Sequence, residues 1–222
     1  MGRAPSVFVT CDVVVMTIRG GELNVLLIRR DRPPFRGRWA LPGGFVEAGE
    51  GLQASALREL REETGVGDLF VEQLYTFGDP ERDPRGRVIT VAYMALVAES
   101  RLRPRAGSDA RATAWFPVRR PPPLAFDHRE ILATALSRLR AKLSYTTVGF
   151  QLLPERFTLS ELQGVYEIIL GKTLDKRNFR KKILSLGLLR SHRTEVRGRH
   201  RPAQVYSFKV KEIMIIDGLI RA

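Results

Sequence analysis

GFVEAGEGLQASALRELREETGV, residues 44–66, is the stretch whose spacing decides what surrounds it. Leu52, Ala56, Leu57 and Leu60 recur at helical spacing, which predicts a helix over Leu52–Thr64 with those residues turned inward. Gly65 stands where a left-handed cap would stop that helix. Glu59, Glu62 and Glu63 are then i, i+3 and i+4, so their carboxylates share a face, opposite the leucines. Glu50 sits just before the helix in a Gly-rich loop and can fold back toward the same face.

Like charges on adjacent turns repel, so helix stability alone does not account for them. A divalent cation resolves the conflict: hard carboxylate oxygens suit Mg2+ or Mn2+, which bridge readily to substrate phosphates. Arg58, beside the cluster, is placed to hold one carboxylate in a fixed rotamer. The alternative is a solvated acidic helix face, the usual meaning of a charge run. With ordinary usages of Gly, Glu and Arg, the full spacing arises by chance at on the order of one start position in 10^9, which weighs against that alternative.

These residues resemble the Nudix box, G-x5-E-x7-R-E-U-x-E-E-x-G-U with U aliphatic, at every position. The resemblance implies an α/β/α sandwich around a mixed sheet, and metal-dependent attack of water on a diphosphate joined to a second moiety. It makes Glu59, Glu62 and Glu63 the expected metal ligands with Gly44 at the metal, Glu50 the support of the site, and Arg58 the orienting partner.

The remainder of the chain bounds this reading. Its 222 residues suffice for two domains, and no apolar run approaches the length of a membrane span. The N-terminus, MGRAPSVFVTCDVVVM, reads as a strand rather than a signal peptide, since an Asp interrupts its apolar stretch. The lone cysteine, Cys11, lies among apolar residues, reads as a buried strand position, and fits a reducing cytoplasm. The net charge of +13 is uneven: from residue 145 onward there are 15 Lys and Arg against 7 Asp and Glu. A basic block of that kind predicts a polyanionic partner.

In chain order, Val7–Ile18 and Leu23–Arg29 predict a hairpin of strands turning at Gly20-Gly21. A basic loop, RRDRPPFRGR, carries Arg38 toward the box, and Trp39 after it reads as packing rather than a base-stacking platform. Leu69–Phe77 and Val88–Ala98 predict further strands around the loop GDPERDPRGR, where Arg82, Arg85 and Arg87 offer an anion site; an exposed charged hairpin is the alternative. The run FGDPERDPRGRVITVAYMAL resembles Nudix proteins that act on ADP-ribose, which adds Arg38, Glu50, Arg82, Arg85 and Arg87 as expected substrate contacts.

Trp115–Val118 predicts the last strand of this region. Similar proteins often carry an acid just before that Trp. Here Arg111, Ala112, Thr113 and Ala114 stand there, leaving Asp109 as the nearest candidate base, with Glu81 and Asp83 weaker ones. Asp127 with Glu130 reads as a capping box opening a helix through Leu143, with His128 a cap or surface residue.

From Tyr145 the pattern changes, and we place a domain boundary there: 1–143 and 144–222. Tyr145–Leu153 predicts a short strand. Thr158 and Glu161 cap the helix Leu159–Leu170, and Asp175 caps a second, KRNFRKKILSLG. In that helix Phe179, Ile183, Leu184 and Leu186 are expected inward, with Lys176, Arg177, Asn178, Arg180 and Lys181 outward. Strands Leu188–Val196 and Gln204–Val210 follow, joined by a turn carrying Arg197, Arg199, His200 and Arg201.

This order resembles a winged helix-turn-helix, in which the second helix enters the major groove of duplex DNA. Phosphate contacts would supply affinity, and Asn178 or Arg177 could read base edges. An oligomerisation or protein-binding module is the alternative. With the tracts DKRNFRKKIL and RPAQVYSF, the whole chain resembles NrtR-type regulators of NAD metabolism and related sugar-responsive regulators. The resemblance implies an ADP-ribose-type ligand, a DNA operator and a homodimer. Two compatible readings result, a Mg2+-dependent hydrolase of ADP-ribose or a related nucleotide sugar, and a ligand-responsive transcriptional regulator.

Overall fold

The computed structural model describes residues 6–67, 69–102, 112–193, 202–210 and 212–216. The chain divides into two compact units, Met1–Thr17, Leu23–Val97 and Leu102–Leu136 forming the first, and Ile18–Glu22, Ala98–Arg101 and Ser137–Ala222 the second.

The first unit is organised on a mixed sheet. Its strands are β1 (Phe8–Arg19), β2 (Glu22–Arg29), β3 (Trp39–Ala40), β4 (Gly43–Phe45), β5 (Glu72–Phe77), β6 (Val88–Leu96) and β7 (Thr113–Pro117). The main order is β3-β2-β1-β6-β5, with β4 pairing β1 and β7 pairing β2. β1 and β6 run parallel from Phe8↔Val88 to Met16↔Leu96, and both are near-continuously buried, as parallel strands covered on both faces must be. β4 runs antiparallel to β1, with Cys11 opposite Gly44 and Asp12 opposite Gly43, which fixes the start of the box against the centre of the sheet.

Helix α1 spans Leu52–Thr64 as expected and ends on Gly65 at φ 69°, whose N–H donates to the Arg61 carbonyl. Its buried positions are Ser55, Ala56, Leu60 and Glu63. Two expectations are corrected here. Leu52 is exposed, because it belongs to the first turn, and Glu63 lies on the buried face beside Leu60 instead of opposite it. Ala56 and Leu60 pack with Cys11, Val13, Val91 and Tyr93, so one apolar stripe suffices to seat the helix on the sheet.

Strand β5 begins at Glu72, three residues later than expected, and shifts register between Gln73 and Tyr75. Helix α2 runs His128–Tyr145, starting directly after Asp127 as expected and ending two residues beyond Leu143.

The second unit contains β8 (Phe157–Thr158), α3 (Leu159–Leu170), α4 (Lys176–Ser185), β9 (Leu189–Ser191) and β10 (Val205–Phe208), with sheet order β8-β10-β9. The strand expected over Tyr145–Leu153 is instead the end of α2 and a 3₁₀ turn, Val148–Leu152. The Thr146 hydroxyl donates to the Lys142 carbonyl at 2.7 Å and accepts the Val148 N–H at 3.3 Å, a local capture that outcompetes the extended chain. The capping box of α3 forms as read: Thr158 Oγ1 accepts the Glu161 N–H, and Glu161 accepts the Thr158 N–H. Phe208 stacks on both Phe150 and Phe157, fixing β10 over the 3₁₀ turn. In α4, Phe179 and Ile183 are buried, whereas Leu184, expected inward, is 47% exposed. The tip between β9 and β10, with Arg197, Arg199, His200 and Arg201, lies outside the described residues, as does Asp109.

Candidate functional site

Arg58 is the hub of the box. It donates to both oxygens of Glu50 at 2.9 and 3.0 Å, to Glu59 Oε1 at 2.8 Å and to Glu62 Oε2 at 3.4 Å, and it also reaches the Phe45 carbonyl at 3.2 Å and the Ser55 hydroxyl at 3.4 Å. This is bidentate, charge-assisted pairing, which orients as well as attracts. Glu50 and Glu59 are largely shielded, while the Glu62 side chain is 61% exposed. Glu63 turns inward, and its Oε2 accepts the Gly43 N–H at 2.9 Å. Gly44 has to be a glycine for a local reason: a Cβ there would press on the Glu59 carboxylate, within 2.7 Å of Oε2.

The Arg58 hydrogen bonds pull the Glu50 carboxyl down to about 2. Its folded value lies below its unfolded one, so the pairing is intact above the ordinary carboxylate range and is lost as pH falls through about 2. Following the Glu50 side-chain carboxyl carbon by NMR should place its midpoint there. In Arg58→Gln it should return to about 4.3, the value of a free glutamate. An unchanged midpoint in the variant would deny Arg58 its role.

Among the described residues no three His, Cys, Asp or Glu stand close enough to form a ready-made metal cage. The donor set nonetheless fits a hard divalent cation in kind. Glu59, Glu62 and Glu63 bring carboxylate oxygens from successive turns of one helix, and Gly44 leaves the Glu59 carboxylate uncovered by any side chain of its own.

Beside the box lies a cleft of about 100 Å³. Thr10 and Asp12 of β1, Gly43, Gly44 and Phe45 of β4, Arg82, Asp83 and Arg85 of the β5–β6 loop, and Phe126 and His128 all face it. Its floor is a buried ionic network. Arg82 grips Asp127 through two 2.7 Å hydrogen bonds and lies 3.7 Å from Asp12 Oδ2, which also accepts the Thr90 hydroxyl at 2.7 Å. Arg85 grips Asp83 at 2.6–3.2 Å, with its guanidinium 4.9 Å from the Phe45 ring and 5.4 Å from the Phe126 ring. Burial opposes ionisation of Asp83, but the Arg85 hydrogen bonds outweigh it and hold its carboxyl below the usual range. Phe126 and Phe35 both have positive φ, 52° and 62°, and meet edge to face at 4.9 Å, a strained pair at the cleft wall.

Of the expected substrate contacts, the fold therefore brings Arg82 and Arg85 to the cleft, and Glu50 to the box beside it. It does not bring Arg87, which closes its own loop by donating to the Gly78 carbonyl at 2.6 Å, nor Arg38, which is exposed and leans over Phe35. Asp83 is tied to Arg85 and Glu81 is exposed, so neither is placed as a free base.

His128 was expected at the surface or as a cap. It is instead 4% exposed and faces the cleft, with Nδ1 accepting the Leu41 N–H at 2.9 Å. Burial holds its pKa down, against the pull of Asp12 and Asp127, so the ring is neutral. Asp127, read as the start of a capping box, gives its carboxylate to Arg82. Asp12 and Thr10 were missed altogether. The one available signal was an acid inside an otherwise apolar strand.

In the second unit, Lys176, Arg177, Asn178 and Lys181 are exposed on α4, and the Asp175 carboxylate caps the helix by accepting the Asn178 N–H at 2.7 Å. Arg180 is half-buried and donates to Ser160 of α3 at 3.2 Å, which ties the two helices of the pair together.

Comparison with known proteins agrees with both units. Residues 9–135 match the NUDIX domain and residues 149–208 the NrtR DNA-binding winged helix domain. The chain is 38% identical to the ADPR responsive transcriptional repressor NtrR of Acinetobacter baylyi, over 94% of this chain and 84% of that protein. It is 43% identical to an ADP-ribose pyrophosphatase of Methanocaldococcus jannaschii, over 49% of this chain and 63% of that one. Shewanella oneidensis NrtR in complex with a 27mer DNA superposes with a TM-score of 0.82 at 38% identity, covering 90% of this chain and 93% of that one. The NUDIX domain of the same protein with ADP ribose gives 0.53 at 37% identity, over 60% and 89%.

Proposed function

The chain belongs to the NUDIX family and carries an NrtR-type winged helix, and from that premise we propose that it is an ADP-ribose-responsive transcriptional regulator whose first unit retains hydrolytic capacity. The observation that carries this reading is the intact box, with Gly44 clear of Glu59 and the cleft opening directly beside both, in a chain that also presents a basic helix.

NUDIX hydrolases in general use divalent metal ions, and the hard oxygen donors here suit Mg2+ or Mn2+. Such an ion, when bound, activates water and neutralises phosphate charge. Glu59, Glu62 and Glu63 would hold it, while Arg58 keeps Glu59 in one rotamer and Glu50 keeps Arg58 in place. Asp109 is our candidate for accepting the proton of the attacking water. Arg85 is placed to meet negative charge at the cleft mouth once Asp83 yields it. The products would be AMP and a sugar phosphate.

In the second unit, Lys176, Arg177, Asn178 and Lys181 would enter a major groove, with Arg180 and the arginines Arg197, Arg199 and Arg201 on the backbone. Operators read by such modules are two-fold symmetric, which favours a homodimer. Regulation requires that ADP-ribose bind the DNA-bound and free states unequally, and the coupling must be reciprocal.

Two measurements test this. ADP-ribose incubated with Mg2+ should yield AMP, and Glu62→Gln should lower that rate by roughly 100-fold or more; no product from the wild type would leave a sensor without turnover. Duplex DNA from upstream of the protein's own operon should be retarded in a gel, less so with ADP-ribose present, and Lys176→Ala with Lys181→Ala should weaken binding and flatten its salt dependence. DNA that runs free with the wild type at low salt would sink the regulatory reading.

A further inference from the structure

Three polar groups at the floor of the cleft have unused hydrogen-bonding capacity, and each belongs to a side chain more than nine-tenths buried. Thr10 Oγ1 is buried with no partner among the described residues, though its side chain lines the cleft. Buried hydroxyls are seldom left this way, so each such case calls for an explanation. Asp12 uses Oδ2 on the Thr90 hydroxyl, and Oδ1 receives no hydrogen bond from a described residue. His128 accepts the Leu41 N–H at Nδ1, which leaves a neutral ring with its proton on Nε2. That Nε2–H is a donor fixed in orientation, and it stands 3.5 Å from Asp12 Oδ1, too far for a well-formed bond between them.

A donor and an acceptor side by side at that spacing match two neighbouring hydroxyls, one giving its proton to Asp12 Oδ1 and the other taking His128 Nε2–H on a lone pair. Thr10 lies two residues along β1 from Asp12, on the same face of the strand, and serves an adjacent hydroxyl. Asp12 disfavours a phosphate at this point of the floor, whereas Arg30, Arg82 and Arg85 leave the rest of the cleft lining cationic. A simple cation is disfavoured by Arg82 and by the His128 N–H.

Resting on the ADP-ribose reading above, we infer that Thr10, Asp12 and His128 form a vicinal-diol subsite that takes one ribose of the ligand and sets the preference for ribosyl over deoxyribosyl groups. Arg82 and Asp127 are positioning residues for it. They hold Asp12 from behind and touch no ligand.

Titration calorimetry on the full chain, without added divalent cation so that no ligand is consumed, tests the subsite with three probes: ADP-ribose, its analogue lacking the 2-hydroxyl of the terminal ribose, and its analogue lacking the 2′-hydroxyl of the adenosine. One analogue should bind about 10- to 100-fold more weakly than ADP-ribose, which identifies the ribose seated in the subsite. His128→Gln and Asp12→Asn should weaken ADP-ribose by a similar factor while leaving that analogue within about 2-fold of its wild-type affinity. Thr10→Val, which removes only the unpartnered hydroxyl, should give a smaller loss of the same kind. Equal binding of all three probes by the wild type overturns the subsite, and so does full discrimination in both His128→Gln and Asp12→Asn. Should ADP-ribose itself give no heat with the wild type, the ligand reading falls and takes the subsite with it, an outcome distinct from equal binding of the three.

Discussion

Arg82→Ala should cost the first unit about 3–5 kcal/mol of stability, the toll of breaking a buried ion pair from one side. The Arg82 side chain is 3% exposed and holds Asp127 through two 2.7 Å hydrogen bonds, with Asp12 close behind. Removing it leaves two shielded carboxylates without a cation. Urea unfolding would measure the loss as a drop in midpoint at unchanged slope. Arg82→Leu combined with Asp127→Leu should recover much of it, since an apolar pair needs no counter-charge. A loss below about 1 kcal/mol in the alanine variant would mean that water reaches the pair freely.

The second large effect is expected at Gly43. A Cβ built there falls far inside contact distance of the Cys11 carbonyl, 2.7 Å from Asp12 Oδ1 and 2.9 Å from Asp12 Cα. Most of that obstruction is backbone of the central strand, which cannot swing aside as a side chain can. Gly43→Ala should therefore push β4 away from β1, costing about 1–3 kcal/mol in overpacking. The functional damage should be larger than the stability loss suggests, because the Gly43 N–H anchors Glu63 and its neighbour clears Glu59. Ligand binding and hydrolysis should both disappear in a variant that still unfolds cooperatively. Gly44→Ala makes the control: the atoms nearest its added methyl are those of the Glu59 carboxylate, a side-chain end that can shift, so it should spare stability and impair hydrolysis.

What the sequence disclosed about these sites followed the range of the interactions. The bounds of helix α1 and its Gly65 stop were legible to the residue, because the signals for both are local, although the faces of Leu52 and Glu63 were not. The capping box of α3 and the Asp175 cap of α4 were legible for the same reason. Arg58 could be read as a partner for one carboxylate, but its grip on several at once needed the loop to fold back. The floor of the cleft was not legible. Its links join Leu41 to His128 across 87 positions, Thr90 to Asp12 across 78 and Arg82 to Asp127 across 45. In the sequence His128 is one polar residue in a first turn, where capping is the usual role. Burial misled in the other direction at Leu52 and Leu184, since periodicity gives the face of a helix but not where its neighbours end. Over Tyr145–Leu153 a short strand was expected, and the Thr146 hydroxyl hydrogen bonds decided for a turn.

The guanidinium at the centre of the box has one more consequence. Because Glu50, Glu59 and Glu62 already share a positive partner, each of these carboxylates has a counter-charge from within the chain. Maturation of the unit should therefore not depend on cation supply, unlike small metal-nucleated domains that stay unfolded until an ion arrives. A newly made chain should then reach its native state in ion-poor surroundings, and a chelator should leave its unfolding midpoint unchanged.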